Sequence, residues 1–169
     1  MLFNYWTMAV DINGAEFECL EARDDTNIRP VRLPQEVQSV AWLYGEAFAE
    51  APWPESWMEF AGFEAEGVFV ATAGERLVGF LISYELKGEP YISVVGVAPE
   101  YRRRGIAQRM ILRALQRFAG KGFREVKIDV RADNLSAVRC YESVGFRKVG
   151  EFRADEQCRI PAAEEPTGG

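Results

Sequence analysis

The chain has 169 residues, 48% hydrophobic and 27% charged, which is long enough for one domain with a hydrophobic core. Its formal net charge of −6 argues against a general nucleic-acid binder, and no apolar run approaches the roughly 20 residues of a membrane span. The sequence contains no histidine, which excludes Ser-His-Asp and Cys-His catalysis and histidine-based metal sites. The three cysteines lack metal-ligand spacing and the N-terminus lacks a basic leader, which favours a reduced, cytoplasmic setting.

Apolar periodicity and turn residues predict a mixed α/β sheet. In chain order the predicted elements are a strand at 27–33, a helix at 34–50, a loop with a second short helix within 51–63, strands at 67–73, 76–86 and 89–99, a helix at 104–122, a strand at 124–132, a helix at 133–145 and a strand at 146–152. The strand at 124–132 follows a helix and is expected to pair parallel to the strand at 89–99 through a right-handed crossover. This order of elements predicts an α/β fold of the mixed (α+β) kind.

The remaining segments divide the chain into three parts. Residues 1–26 contain two segments rich in large apolar side chains on either side of Asn13-Gly14, which is a strong β-hairpin signal. This added N-terminal hairpin is expected to cover an exposed edge, either of its own sheet or of a second subunit in a homodimer. Residues 27–153 form the main domain, and the tail at 154–169 is expected to be disordered.

Positive charge is concentrated between residues 101 and 124. Eight cationic residues and no acidic residue occur there. They are consistent with an ordinary solvated helix face, but eight like charges repel one another, which favours an anionic partner. Arg102–Ala107 lies where a strand ends and a helix begins, and the first-turn amides of a helix carry the positive end of its dipole. Because Gly105 and Ala107 leave room for close approach to the backbone, this stretch predicts a pyrophosphate site.

Two motifs in this half of the chain resemble those of the GNAT superfamily of acyl-CoA N-acyltransferases. They are R-x-x-G-x-A at Arg102–Ala107, preceded by "VGVAPEY", and "NLSAVRCYESVGF" at 134–146. The resemblance covers residues 27–152 and is nearest to the branch that acetylates the N-terminal alanine of ribosomal proteins. It implies the GNAT fold, acetyl-CoA as co-substrate without a metal, and an amine acceptor. The residues that it assigns to acetyl-CoA binding are Val95, Val97, Arg102, Arg103, Arg104, Gly105, Ile106, Ala107 and Asn134.

The same resemblance assigns the role of general acid to Tyr141. Asn134 and Tyr141 are seven residues apart and share one stripe of the predicted helix. A phenol has an ordinary pKa of about 10, so it is protonated at neutral pH and suits the protonation of a departing thiolate. The structural alternatives are a packed aromatic side chain for Tyr141 and a helix cap for Asn134. Cys140 is interpreted as a small buried hydrophobe, because direct transfer needs no acyl-enzyme.

The general base is assigned to Asp129. The ribosomal branch has a glutamate on the strand before this helix, and Asp129 occupies that position. The shorter side chain makes a bridging water an option. Asp129 also alternates with apolar residues, as any polar strand face does, so a purely structural role stays open. Other GNAT branches have a glutamate where this chain has Tyr91, and Glu85 and Glu89 are nearby alternatives.

These features predict a cytoplasmic N-acetyltransferase that moves an acetyl group directly from acetyl-CoA to a primary amine. The acceptor is either a protein N-terminus or a small molecule, and neither a nucleic-acid nor a membrane partner is expected. The alternative from another functional class is a catalytically idle acyl-CoA-binding sensor or interaction module. Trp53, Trp57 and Phe60 either shape an acceptor pocket or belong to the core.

Overall fold

A computed structural model of the chain describes residues 2–14, 17, 24–49, 51–54, 57 and 63–155. Its elements in chain order are β1 (Leu2–Asp11), β2 (Thr26–Pro30), α1 (Val37–Phe48), β3 (Phe63–Ala73), β4 (Arg76–Leu86), β5 (Glu89–Val97), α2 (Ile106–Gly120), β6 (Glu125–Arg131), α3 (Leu135–Val144) and β7 (Arg147–Asp155). The predicted elements between 27 and 152 are present within a few residues of their expected bounds. The exception is the second short helix at 51–63, most of which lies outside the described residues.

All seven strands form one sheet in the order β2-β3-β4-β5-β6-β1-β7. The β5–β6 pair is parallel, as predicted from the helix between them, and the other pairs are antiparallel. The structure therefore confirms the predicted mixed α/β sheet.

The N-terminal segment does not cover an edge, which corrects the expectation from the sequence. β1 lies between β6 and β7 and is antiparallel to both. Its Met8 and Val10 are buried, with 1% and 7% of their surface exposed, so the strand belongs to the interior of the sheet. The expected second half of the hairpin, residues 15–22, lies outside the described residues apart from Phe17.

The last strand also differs from the prediction. β7 continues to Asp155, past the expected end at 152 and into the segment expected to be a disordered tail. Pairing with β1 explains the extension, because Leu2 lies opposite Asp155 at the end of the ladder. The rest of the predicted tail, residues 156–169, lies outside the described part of the chain.

Two hydrophobic cores lie on opposite faces of the sheet. Buried residues of α2 and α3 pack on one face, here called the α2–α3 face, and α1 packs on the other, called the α1 face. Val126, Ile128 and Val130 of β6 belong to the α2–α3 core. Because side chains alternate along a strand, Asp129 projects from the α1 face.

Candidate active site

A gap opens between the two parallel strands. β5 and β6 pair only at Tyr91–Lys127 and Ile92–Ile128, and they separate beyond Ile92. On its other side β5 remains paired with β4, with an irregularity between Ile82 and Ser83 that shifts the register by one residue. A β-bulge of this kind bends the strand locally. The edge of β5 that faces β6 is therefore open from Val94 to Val97.

The backbone groups of Val95 and Val97 face this gap. The amide of Ala98 donates to the carbonyl of Val78 at 2.8 Å, which places the Ala98 amide on the β4 side. Because successive peptide groups of a strand point to opposite edges, the amides of Val95 and Val97 point away from β4. The carbonyl of Val97 accepts a hydrogen bond from Arg102 Nε at 3.3 Å, which fits that orientation.

The N-terminus of α2 lies at the end of the gap. Gly105 is its N-cap residue and has a φ of 77°, and Arg103 has a φ of 64°. The first turn is closed by the Arg109 amide on the Gly105 carbonyl at 3.0 Å. The amides of Ile106, Ala107 and Gln108 precede that bond and so have no acceptor within the helix. They form the positive end of the α2 dipole, next to the open edge of β5.

The three arginines of the turn, Arg102, Arg103 and Arg104, differ in their contacts. Arg102 donates to the carbonyls of Ala47 and Val97, so it joins the end of α1 to the end of β5. Arg104 lies over the Tyr101 ring at 4.6 Å and donates to the Glu100 carbonyl at 3.1 Å. Arg103 is exposed and has no hydrogen bond or ion pair with any residue that the structure describes. Among the contacts described for this turn, Arg103 is thus the cation without a protein partner.

Two other cations of α2 and its C-terminal end pair with acids on the sheet, and Arg109 donates to Thr26. Arg117 pairs with Glu64 of β3 at 2.5 Å, and Lys121 pairs with Glu85 of β4. Arg109 donates to the hydroxyl of Thr26 at 2.6 Å and to its carbonyl at 3.1 Å. The repulsion inferred from the sequence is therefore reduced by these two ion pairs, while Arg109 and Arg113 contact uncharged groups among the described residues.

Asp24 is a residue near this turn that the sequence analysis missed. Its Oδ1 accepts from the amide of Thr26 at 3.0 Å and from the Thr26 hydroxyl. Its Oδ2 is buried without a hydrogen bond, and Arg104 Nη1 lies 3.6 Å away. The hydrogen bonds from Thr26, followed by the charge of Arg104, hold the pKa of Asp24 below its ordinary value. An aspartate two residues before a threonine is a recognised turn pattern, and it is the signal that could have identified this residue.

α3 contributes Asn134, Cys140 and Tyr141. Asn134 is the N-cap residue, and its side-chain oxygen accepts a hydrogen bond from the Ala137 amide at 3.2 Å, so Asn134 caps α3. Tyr141 is 8% exposed, and its ring lies 6.1 Å from that of Phe146. Burial raises the pKa of the Cys140 thiol, which keeps it protonated and agrees with its interpretation as a small hydrophobe.

These elements enclose one cleft of about 1360 Å³, here called the β5–α3 cleft. It is lined by Asp24, Ala47, Phe48, Val95, Gly96, Val97, Tyr101, Arg102, Arg103, Arg104, Gly105, Ile106, Ala107, Gln108, Arg109, Asn134, Ser136, Ala137, Cys140 and Tyr141. Every residue that the sequence assigned to acetyl-CoA lines it, as does Tyr141. Asp129 is not among the lining residues.

Asp129 lies on the α1 face with two tyrosines. Its Oδ1 accepts a hydrogen bond from the Thr7 hydroxyl at 2.8 Å. The Asp129 side chain is exposed, but partial desolvation by its neighbours raises its pKa, while the Thr7 hydrogen bond and the charge of Lys127 lower it. Burial and the Asp129 charge raise the pKa of Tyr84 to about 12, and its ring stacks on that of Tyr91 with centroids 5.9 Å apart.

The other candidates from the sequence have structural contacts. Glu85 is engaged with Lys121, and Glu89 lies 3.6 Å from Lys127. Trp57 is 3% exposed and its indole N–H donates to the Val37 carbonyl at 2.9 Å. Trp53 stacks on Tyr44 at 4.0 Å, so both tryptophans are part of the core under α1. Phe60 lies outside the described residues.

Neither a metal site nor a membrane span is found in the described part of the chain. No group of three or more cysteine, aspartate or glutamate residues there could hold a metal ion. No helix there is both long enough and apolar enough to cross a bilayer.

Fold and cleft together define a class of protein. A mixed sheet whose two parallel strands separate beside a helix N-terminus suits a ligand that joins an extended arm to an anionic group. Residues 35–146 match the family model described as "Acetyltransferase (GNAT) family". The match covers more than half of the chain, so the chain belongs to the GNAT acetyltransferase family, as the sequence motifs predicted.

Named relatives agree with this assignment. The chain is 33% identical to N-alpha-acetyltransferase RimI of Mycobacterium tuberculosis over 125 residues, covering 68% of this chain and 75% of that protein. It is 35% identical to a mycothiol acetyltransferase of Streptomyces bingchenggensis over 120 residues, covering 63% of this chain and 38% of that protein. A solved GCN5-related N-acetyltransferase from Sphaerobacter thermophilus has the same fold, with a TM-score of 0.79 at 22% identity, covering 95% of this chain and 53% of that one. The chain thus spans about half or less of the length of the last two.

Proposed function

We propose that this chain is an N-acetyltransferase that moves an acetyl group directly from acetyl-CoA to a primary amine of a protein N-terminus or a small molecule. One observation carries the proposal. The β5–α3 cleft brings together the open edge of β5, the N-terminus of α2 and Tyr141, which come from separate parts of the chain. This is the combination that an acyl-CoA needs along its length. We also propose that the protein works in the cytoplasm.

In this proposal the pantetheine arm of acetyl-CoA lies along β5 as an additional strand. The amide and carbonyl groups of Val95 and Val97 are directed to that position. The pyrophosphate lies at the first turn of α2, where the amides from Ile106 to Gln108 and the Arg103 side chain supply positive charge. The thioester then lies near α3, close to Asn134 and Tyr141.

The proposed chemistry is a direct transfer with two proton movements. The neutral amine attacks the thioester carbonyl, so a C–N bond forms and the C–S bond breaks. Tyr141 gives its phenolic proton to the departing thiolate, and the proton released by the amine passes to Asp129. Because Asp129 is not part of the cleft lining, a water molecule carries the proton from the amine to its carboxylate.

The function is tested with acetyl-CoA and a panel of amines. The panel contains peptides with an N-terminal alanine and small primary amines, and CoA release is followed with a thiol reagent. Binding of acetyl-CoA is measured in parallel by isothermal titration. We expect binding and CoA release with at least one class of amine. Binding without CoA release from any amine would instead support the idle sensor.

Gly105 provides a test of the cofactor site. Valine at a φ of 77° is strained, so Gly105→Val is expected to distort the start of α2 and to weaken acetyl-CoA binding by about tenfold or more. Gly74→Val is the matched control, because Gly74 has a φ of 61° and lies in the β3–β4 turn; a Cβ there would meet no atom within 4 Å, and one at Gly105 would be in ordinary contact with Gln108 Oε1 at 3.5 Å. Equal affinities of the two variants in isothermal titration would argue against a phosphate site at this turn.

Arg103 provides a test of the electrostatic contribution. Arg103→Gln is expected to weaken acetyl-CoA binding by about two- to fivefold at low salt, with a shallower salt dependence than the wild type, because one screened phosphate contact is lost. Arg113→Gln is the control, since Arg113 lies farther along α2 over the Phe69 ring. The affinities for acetyl-CoA are measured by isothermal titration at several salt concentrations. A parallel salt dependence for Arg103→Gln and the wild type would remove Arg103 from the site.

A further inference from the structure

The register between β1 and β6 places Thr7 directly opposite Asp129. Met8 and its partner Ile128 are buried in the α2–α3 core, so their neighbours Thr7 and Asp129 both project from the α1 face. Directly opposed side chains in an antiparallel pair have Cβ atoms about 4.5–5.5 Å apart, which allows a threonine hydroxyl to reach a carboxylate. The contact depends on β1 lying beside β6.

Thr7 contacts Asp129 from one side, and the other side of Thr7 is open. The Thr7 hydroxyl donates to Asp129 Oδ1 at 2.8 Å. On β7 the partner of Thr7 is Gly150, and a methyl group added there would meet no atom within 4 Å. Space therefore exists on the sheet surface next to the Thr7–Asp129 pair, where a substrate or water can approach.

The cations near Asp129 form their ion pairs with other acids, and Lys127 acts on Asp129 through its charge alone among the described contacts. Arg131 forms two hydrogen bonds with Asp133 at 2.6 and 2.7 Å and lies over the Phe3 ring at 4.0 Å. Lys127 lies 3.6 Å from Glu89. Thr7 therefore makes a direct contact with the carboxylate that these cations do not.

The other titratable groups facing Asp129 come from β4 and β5. Tyr84 and Tyr91 stack on the same face, and the Tyr91 hydroxyl donates to Glu89 at 3.4 Å. Burial is the main cause that raises the pKa of both tyrosines, and the Asp129 charge raises it further. Both phenols are therefore neutral beside the carboxylate. Asp129 is exposed at the sheet surface, but partial desolvation by its neighbours raises its pKa, and the Thr7 hydrogen bond is the first influence that opposes this shift.

We propose that Thr7 of the N-terminal strand is a positioning residue for acetyl transfer, whose hydroxyl holds the Asp129 carboxylate in the orientation that receives the proton of the acceptor amine. The inference rests on the proposed function, in which Asp129 is the base. It extends that function to β1, because Thr7 of this strand then influences the proton transfer to Asp129. Thr7 itself does not touch the reacting atoms.

The test compares Thr7→Val, which removes the hydroxyl but keeps the branched shape, with Thr7→Ser, which keeps the hydroxyl. Without the hydrogen bond the charged form of Asp129 loses a stabilising contact, so its pKa rises. The acidic limb of kcat/KM for the amine is therefore expected to move to higher pH in Thr7→Val and to return in Thr7→Ser. The KM for acetyl-CoA is expected to stay unchanged, because Thr7 is not in the cleft lining.

A second measurement does not depend on activity. The carboxyl carbon of Asp129 is titrated by NMR in the wild type and both variants, with Asp129→Asn used to assign the signal. A higher midpoint in Thr7→Val and a wild-type midpoint in Thr7→Ser, together with the moved acidic limb, support the proposal. An unchanged midpoint in Thr7→Val overturns it.

The two measurements separate this inference from the proposed function. A moved NMR midpoint with an unmoved acidic limb shows that Thr7 controls the ionisation of Asp129 but that Asp129 is not the base, which overturns the catalytic role of Thr7. If the wild type releases no CoA with any amine, the proposed function fails, and the catalytic role of Thr7 fails with it. The NMR titration then still decides whether the Thr7 hydrogen bond lowers the pKa of the Asp129 carboxyl.

Discussion

Replacing Tyr141 with phenylalanine is expected to lower the maximal rate of acetyl transfer by about 10²–10³-fold, the range typical of one general acid. The substitution removes the phenolic proton but keeps the ring, which is buried against the α2–α3 core next to Phe146. The affinity for acetyl-CoA is therefore expected to change little. Steady-state rates of CoA release at saturating amine, with titration of acetyl-CoA binding, check both statements.

Tyr101 offers a matched control in the same cleft. It lines the cleft at the arginine turn, and its ring lies under Arg104 at 4.6 Å. Tyr101→Phe keeps that ring and removes a hydroxyl from the phosphate end of the cleft, so its rate should equal that of the wild type. Equal rates for Tyr141→Phe and Tyr101→Phe would show that water or another group protonates the thiolate.

The parts of the cleft that depend on neighbouring residues were predictable from the sequence. The helices predicted at 104–122 and 133–145 are α2 and α3, and Gly105 and Gly145, which have positive φ angles, cap the start of α2 and the end of α3. Asn134 caps α3 because its side-chain oxygen accepts a hydrogen bond from the amide of Ala137, three residues later in the chain. Local chemistry of this kind acts over a few residues, so a single sequence contains it.

The contacts that depend on distant residues were not predictable. Arg117 and Lys121 pair with Glu64 of β3 and Glu85 of β4, which are separated from α2 by many residues of sequence. A count of charges along the helix could not include them. In the same way, the contact of Thr7 with Asp129 depends on a strand register that spans 122 residues of sequence.

The position of β1 is the largest difference between prediction and structure. Alternating apolar residues predict a strand, but they do not specify which strands lie on either side of it. A strand between two partners can hydrogen-bond along both edges, whereas an edge strand pairs along one only. The structure shows the first arrangement, since β1 pairs with β6 and with β7. Stability measurements can distinguish these two arrangements.

Met8→Ala is expected to lower the free energy of unfolding by about 2–5 kcal/mol, the range for truncating a large side chain in a core. Met8 is 1% exposed and packs in the α2–α3 core, and its strand joins β7 to the rest of the sheet. Leu2→Ala at the start of the same strand is the control, because Leu2 is 52% exposed, and its effect should stay within about 0.5 kcal/mol. Urea unfolding gives both values from the transition midpoints and slopes. If Met8→Ala cost as little as Leu2→Ala, the core could not depend on β1, and the N-terminal strand would be an addition to a sheet that is stable without it.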